Sequence, residues 1–133
     1  MGLDMYAYKV GKGLIPEGVE VDFYLPEKEE YVEEGWYWRK NNYLHGWMDE
    51  LYRAKGGKDP DFNGNTVKLT EEDLKNLRTA IKNKTLTRTF GFFFGGDYNY
   101  YGEEYGSDRD LKFVEEALEA IKDGMDVYYN SSW

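Results

Sequence analysis

The chain has 133 residues, no cysteine and a formal net charge of -9. That length suits one domain around one core, and the missing thiols exclude disulfides, cysteine nucleophiles, zinc ribbons and iron–sulfur ligation. The acidic total opposes binding to a nucleic-acid polymer, and no apolar run reaches the length of a membrane span. The opening Met1-Gly2-Leu3-Asp4 lacks the basic start and apolar core of a signal peptide, so a cytoplasmic protein is expected.

Residues 3–10 alternate Leu3, Met5 and Ala7 against Asp4, Tyr6 and Tyr8, a strand pattern. Gly11, Gly13, Pro16 and Gly18 break it. Val19, Val21, Phe23 and Leu25 alternate with Glu20, Asp22 and Tyr24, which predicts a second, half-exposed strand. Residues 26–34 read as an acidic loop, and residues 35–39 as a short aromatic strand or helix lead-in. A helix is predicted over about residues 40–55, because Leu44, Trp47, Met48, Leu51 and Tyr52 form one apolar stripe. Gly56-Gly57 ends it. After a polar loop over 58–65, Val67 and Leu69 make a short extended piece. Thr70 with Asp73 reads as a capping box for a second helix that turns Leu74, Leu77 and Ile81 inward. Residues 86–94 read as a strand, central in the sheet because Phe92-Phe93-Phe94 is apolar on both faces. Residues 95–106 form a Gly/Tyr loop. Ser107 with Asp110 repeats the cap signature ahead of a third helix through Leu111, Val114, Ala117, Leu118 and Ile121, which Gly124 ends. Residues 125–133 alternate as a closing strand. Strands and helices mix without regular βαβ order. The fold class is therefore α+β: a single domain over residues 1–133, with a mostly antiparallel mixed sheet and about three helices packed on it.

Aromatic residues make up 18% of the chain, and thirteen are tyrosines. Tyr and Trp join apolar area to a hydrogen-bonding tip, which suits interfaces and flat-ligand sites as well as a core of large side chains. At about 100° per residue, Trp38, Asn41 and His45 line one margin of the first helix stripe, where they would face a pocket. His45 is the only histidine and the natural general base; as a catalyst it would need a carboxylate such as Asp4 or Asp49. Arg78 lies inside the second helix stripe and must be paired, for example with Asp4, or else bind an anion with Arg39 and Arg88. Lys75, Arg78, Lys82, Lys84 and Arg88 run without a carboxylate, so a local positive site is compatible with the acidic total. Asp59, Asp61 and Asn63 match the start of a calcium loop, but position twelve is Thr70, where a bidentate Glu is needed. No phosphate loop, serine-hydrolase elbow or cofactor motif is present, and no cofactor is expected.

The set Met-Gly-Leu-Asp-Met-Tyr at 1–6, Tyr-Trp-Arg-Lys-Asn at 37–41 with His45 and Trp47, Gly-Phe-Phe-Phe-Gly at 91–95 and Ser-Ser-Trp at 131–133 resembles a family of small bacteriophage and prophage proteins. The resemblance implies a phage origin, and by analogy with other small acidic phage proteins a binding protein that counters a host defence in the host cytoplasm is expected. It would capture a small anionic, nucleotide-like molecule or a host protein. A base would stack on Trp38, Tyr98 or Trp133, phosphates would meet Arg39, Arg78 or Arg88, and Asn41 and His45 would read polar edges. The alternatives are a small hydrolase or transferase using His45 with Asp4, and an assembly protein whose aromatics form a homo-oligomer interface.

Overall fold

Alternation along the first strand decides which side of the sheet is buried. The computed structural model describes residues 2–24, 32–91, 94–96, 99–102 and 106–133, with backbone only at 32–34. Strands β1 (Asp4–Gly11), β2 (Val32–Arg39), β3 (Val67–Leu69) and β4 (Met125–Ser132) form one antiparallel sheet in the order β2-β1-β4-β3. Helices α1 (Asn42–Ala54), α2 (Glu71–Lys82) and α3 (Ser107–Lys122) complete the expected α+β domain. Met5, Ala7, Trp38, Val67, Leu69, Val127 and Tyr129 form the buried sheet face. The helices lay Leu44, Met48, Tyr52, Leu74, Leu77, Ile81, Phe113, Val114 and Ala117 onto it. Burial of apolar area at about 25 cal/mol per Å² drives this layering. No helix among the described residues is long and apolar enough to cross a membrane.

The helix ends follow their local chemistry. Thr70 and Asp73 form a reciprocal capping box, with Asp73 N to Thr70 Oγ1 at 3.1 Å and Thr70 N to Asp73 Oδ2 at 2.9 Å. Lys55, just past α1, sends Nζ to Asp73 at 2.5 Å, to Glu20 at 2.6 Å and to the Lys68 carbonyl at 2.7 Å. One ammonium thus ties α1, α2, β3 and the segment before Val21 together.

Four expectations fail. Residues 32–34, expected to end an acidic loop, instead open β2, because they pair with residues 9 and 10 of β1 past the register shift. Residues 19–24 do not form a strand: Val21 makes one isolated bridge to Val67, and Asp22 takes a left-handed φ of 53° that ends the extended run. Asp22 N reaches Thr66 O at 3.0 Å and Lys68 N reaches Glu20 O at 2.8 Å, so this segment still shields the outer edge of β3. Residues 86–91 and 94 are not a central strand, because β4 already sits between β1 and β3. They cross over α1 instead: Thr89 Oγ1 lies 1.9 Å from where a Cβ on Gly46 would stand. Asn42 Nδ2 donates to the carbonyls of Phe94 at 3.1 Å and Gly96 at 3.2 Å. Phe92 and Phe93 lie outside the described residues. Finally, Ser107 is not the N-cap of α3. Gly106 is, with no side-chain cap bond, and Asp110 is wholly buried.

Candidate functional site

Asp110 organises the interior beside the expected margin of α1. Its Oδ1 accepts from Trp38 Nε1 at 2.9 Å, and its Oδ2 accepts from Asn41 Nδ2 at 2.9 Å and from Tyr100 Oη at 2.6 Å. Burial pushes its carboxyl up to about 6, against the pull of the three donors and of Arg109. Asn41 Oδ1 also caps α1 by accepting from Leu44 N at 3.1 Å. Nothing in the residue spacing separates Asp110 from an ordinary capping-box acid; its role appears only when β2, α1 and α3 meet.

The margin expected to face a hollow is filled by protein. His45 is 2% exposed, and its ring packs on Phe62, Phe94, Tyr129 and Trp133 at centroid distances of 5.3, 4.9, 6.0 and 5.2 Å. Burial lowers its pKa to about 4, and burial holds Tyr129 protonated. Both groups are therefore neutral, and the Tyr129 hydroxyl and His45 Nδ1 share a hydrogen bond of 2.6 Å. Asp49 is ion-paired with Arg53 at 3.0 Å. Asp4 lies on the opposite face of the sheet, where it accepts from Tyr37 Oη at 2.5 Å and sits 3.7 Å from Arg39. Asp4 and Arg39 therefore meet, and His45 joins neither.

The remaining candidates scatter. Arg78 does not pair with Asp4; its Nη1 donates to Glu115 of α3 at 2.9 Å, because the α2 stripe faces α3 there. Arg88 lies over the Phe90 ring at 4.6 Å on the segment after α2. Trp133 packs edge-on against Phe94 at 4.9 Å; its backbone N–H donates to Asn63 Oδ1 at 3.1 Å and its carbonyl accepts from Asn63 Nδ2 at 3.0 Å. Tyr98 lies outside the described residues. In the calcium-like loop, Asp61 N folds back on Asp59 Oδ1 at 2.9 Å, Asp59 N reaches Tyr52 Oη at 3.1 Å, and Phe62 is wholly buried at a φ of 49°. No group of three His, Cys, Asp or Glu among the described residues could hold a metal ion.

What the fold does assemble is a row of tyrosines on the other face of the sheet. Tyr6 and Tyr8 alternate with the buried Met5 and Ala7, Tyr37 stands between Trp36 and Trp38, and Tyr128 precedes the buried Tyr129. Register places Tyr6 opposite Tyr37 and Tyr8 opposite Tyr128. Their rings follow one another at 5.3 Å (Tyr37–Tyr6), 6.0 Å (Tyr6–Tyr8) and 5.1 Å (Tyr8–Tyr128), and Phe23 closes the row at 5.6 Å. Residues 11–24 fold over the Tyr128 end through Ile15 and Phe23, whereas Tyr37 stays 45% exposed. Tyr8, Tyr37 and Tyr128 all have pKa values raised, Tyr128 to about 12, chiefly by burial except at Tyr37, where the bond to Asp4 leads. Their hydroxyls are neutral at physiological pH. The alternation in β1 and β4 already puts these tyrosines on the polar face; only the pairing of strands joins them into one strip. Comparison with protein-family models, with curated proteins and with solved structures found no match.

Proposed function

We infer that this chain is a protein-binding module that holds its partner on the tyrosine strip crossing β2, β1 and β4. The observation that carries this reading is the strip itself: amphipathic rings in contact across three strands, on the sheet face opposite the one that the described helices cover. Tyrosine supplies large contact area at low conformational-entropy cost and a hydroxyl for directional bonds, which is why it dominates many binding surfaces. The rings already pack on each other and leave no slot for an intercalated base. The arginines that would meet phosphates lie on β2, α2 and the segment after α2. Both features favour a protein partner over a nucleotide. Catalysis by His45 finds no support either, since its ring is enclosed and Asp4 is on the far face. The likeness to phage proteins supports a host protein as the target, and interference with a host defence as the outcome.

The test is a comparison of proteins retained from bacterial lysate by the wild type, by Tyr6→Ser/Tyr37→Ser and by Arg78→Ser. We expect at least one protein to be held by the wild type and by Arg78→Ser but lost from the tyrosine variant. Equal retention by all three would exclude the strip as the binding surface.

A further inference from the structure

A second surface, distinct from the tyrosine strip, runs along α3. Arg109, Lys112, Glu116, Glu119 and Asp123 are all exposed and fall at i, i+3, i+7, i+10 and i+14, one straight stripe down the helix. Over about 14 residues at 1.5 Å each the stripe is ~21 Å long. The basic residues occupy its first half and the acidic residues its second.

Along this stripe the order runs against the helix dipole, with Arg109 in the first turn and Asp123 at the C-cap, although α3 as a whole carries Asp108 and Asp110 in its first turn and Lys122 in its last. Arg109 and Lys112 are like charges at i,i+3, and Glu119 and Asp123 are like charges at i,i+4, each pairing unfavourable for an isolated helix. Arg109 also donates to the Tyr37 carbonyl of β2, which holds the basic end of the stripe beside the groove. The groove beside it holds cavities of about 600 and about 320 Å³, which share Gly35, Trp36 and Glu116. Trp36 is half-buried there, with Nε1 on Glu116 Oε1 at 3.3 Å. β2 is the last strand on this side of the sheet, and no described strand pairs with its outer edge. The opposite edge, by contrast, is shielded by residues 20–22.

A stripe that is positive at one end and negative at the other is complementary to itself when turned through a two-fold axis. An axis near Glu116 sets Arg109 against Asp123 of a second copy and Lys112 against its Glu119, twice over by symmetry. The two Trp36 side chains then lie near the axis, where interface energy concentrates, and each Glu116 stays on its own indole. We propose that this chain forms a two-fold dimer in which the α3 stripe and the Trp36 groove of one copy receive the antiparallel α3 of a second copy.

The experiment is sedimentation velocity over a concentration series on the full chain, with folding of every variant checked by circular dichroism. Wild type is expected to dimerise. Lys112→Glu alone and Glu119→Lys alone each set like charges against each other in a homodimer and are expected to weaken association at least about tenfold. An equimolar mixture of the two single variants restores both pairings and should dimerise again. Arg109→Glu with Asp123→Lys repeats the swap one turn further out, should either first variant fail to fold. Tyr6→Ser, on the strip but lining neither cavity of the groove, should dimerise as wild type does, which separates this surface from the one proposed for the partner. A wild type that stays monomeric throughout, single variants that dimerise unchanged, or a mixture that fails to recover would each overturn the proposal.

Discussion

Asp110 is the residue on which the interior turns. Three donors from β2, the N-cap of α1 and the segment before α3 converge on one buried carboxyl, and an alanine there removes that acceptor from all three. At about 1 kcal/mol or more per buried hydrogen bond lost, Asp110→Ala should lose about 3 kcal/mol of stability in urea titration. Asp110 and His45 also make opposing demands on pH. The folded pKa of Asp110 is raised from 3.8 to about 6, so its contribution is fully present below 3.8 and is lost as pH rises through 6. That of His45 is lowered from 6.5 to about 4, so its contribution is full above 6.5 and is lost as pH falls through 4. Each amounts to about 3 kcal/mol at roughly 1.4 kcal/mol per pKa unit. Between pH 4 and 6 the two slopes offset, and their sum is nearly flat. Asp110→Asn should uncover the His45 slope, so that the melting temperature falls steadily on acidification through this window. A variant as flat as wild type would contradict the assignment.

Secondary-structure elements with a strong local signal were legible, and those decided by competition were not. The α1 stripe, the Thr70–Asp73 box and the β1 alternation are local chemistry, and each stands where its spacing predicts. Removing the box with Thr70→Ala should cost about 1 kcal/mol, read as a drop in melting temperature. Residues 86–94 have a strand's composition but lose the central slot to β4, a contest no single segment records. Glycine at 35 has a similar long-range cause. The β1–β2 register slips between Ala7 and Lys9, and a Cβ on Gly35 would stand 1.7 Å from the Ala7 carbonyl oxygen. Gly35→Ala should therefore force the bulge apart, visible as lost protection from hydrogen exchange in β1 and β2 while α2 remains protected.

Across the whole molecule, the tyrosine excess divides between the core and the outer face of the sheet. Tyr52, Tyr100 and Tyr129 are buried with their hydroxyls on Asp22, Asp110 and His45, and Tyr6, Tyr8 and Tyr37 face outward. The sequence pattern assigns each tyrosine to a face but not to a partner, because partners come from strands far apart in the chain. Tyr8, Tyr52, Tyr101, Tyr128 and Tyr129 all have raised pKa values. Stability is therefore fully present below pH 10 and is lost as pH climbs through the folded values. Alkaline titration should show buried tyrosines ionising in one cooperative step coincident with unfolding, followed by near-ultraviolet absorbance.

The strand order β2-β1-β4-β3 sets a condition on synthesis. β4, between β1 and β3, is the last of the four to be made. A ribosome-bound chain that has not yet released Met125 can hold only the β1–β2 ribbon, with β3 lacking its neighbour and the aromatic interior open to chaperones. Nascent chains arrested before residue 125 should be cut freely by protease, and resistance should arrive abruptly once the final strand clears the exit tunnel.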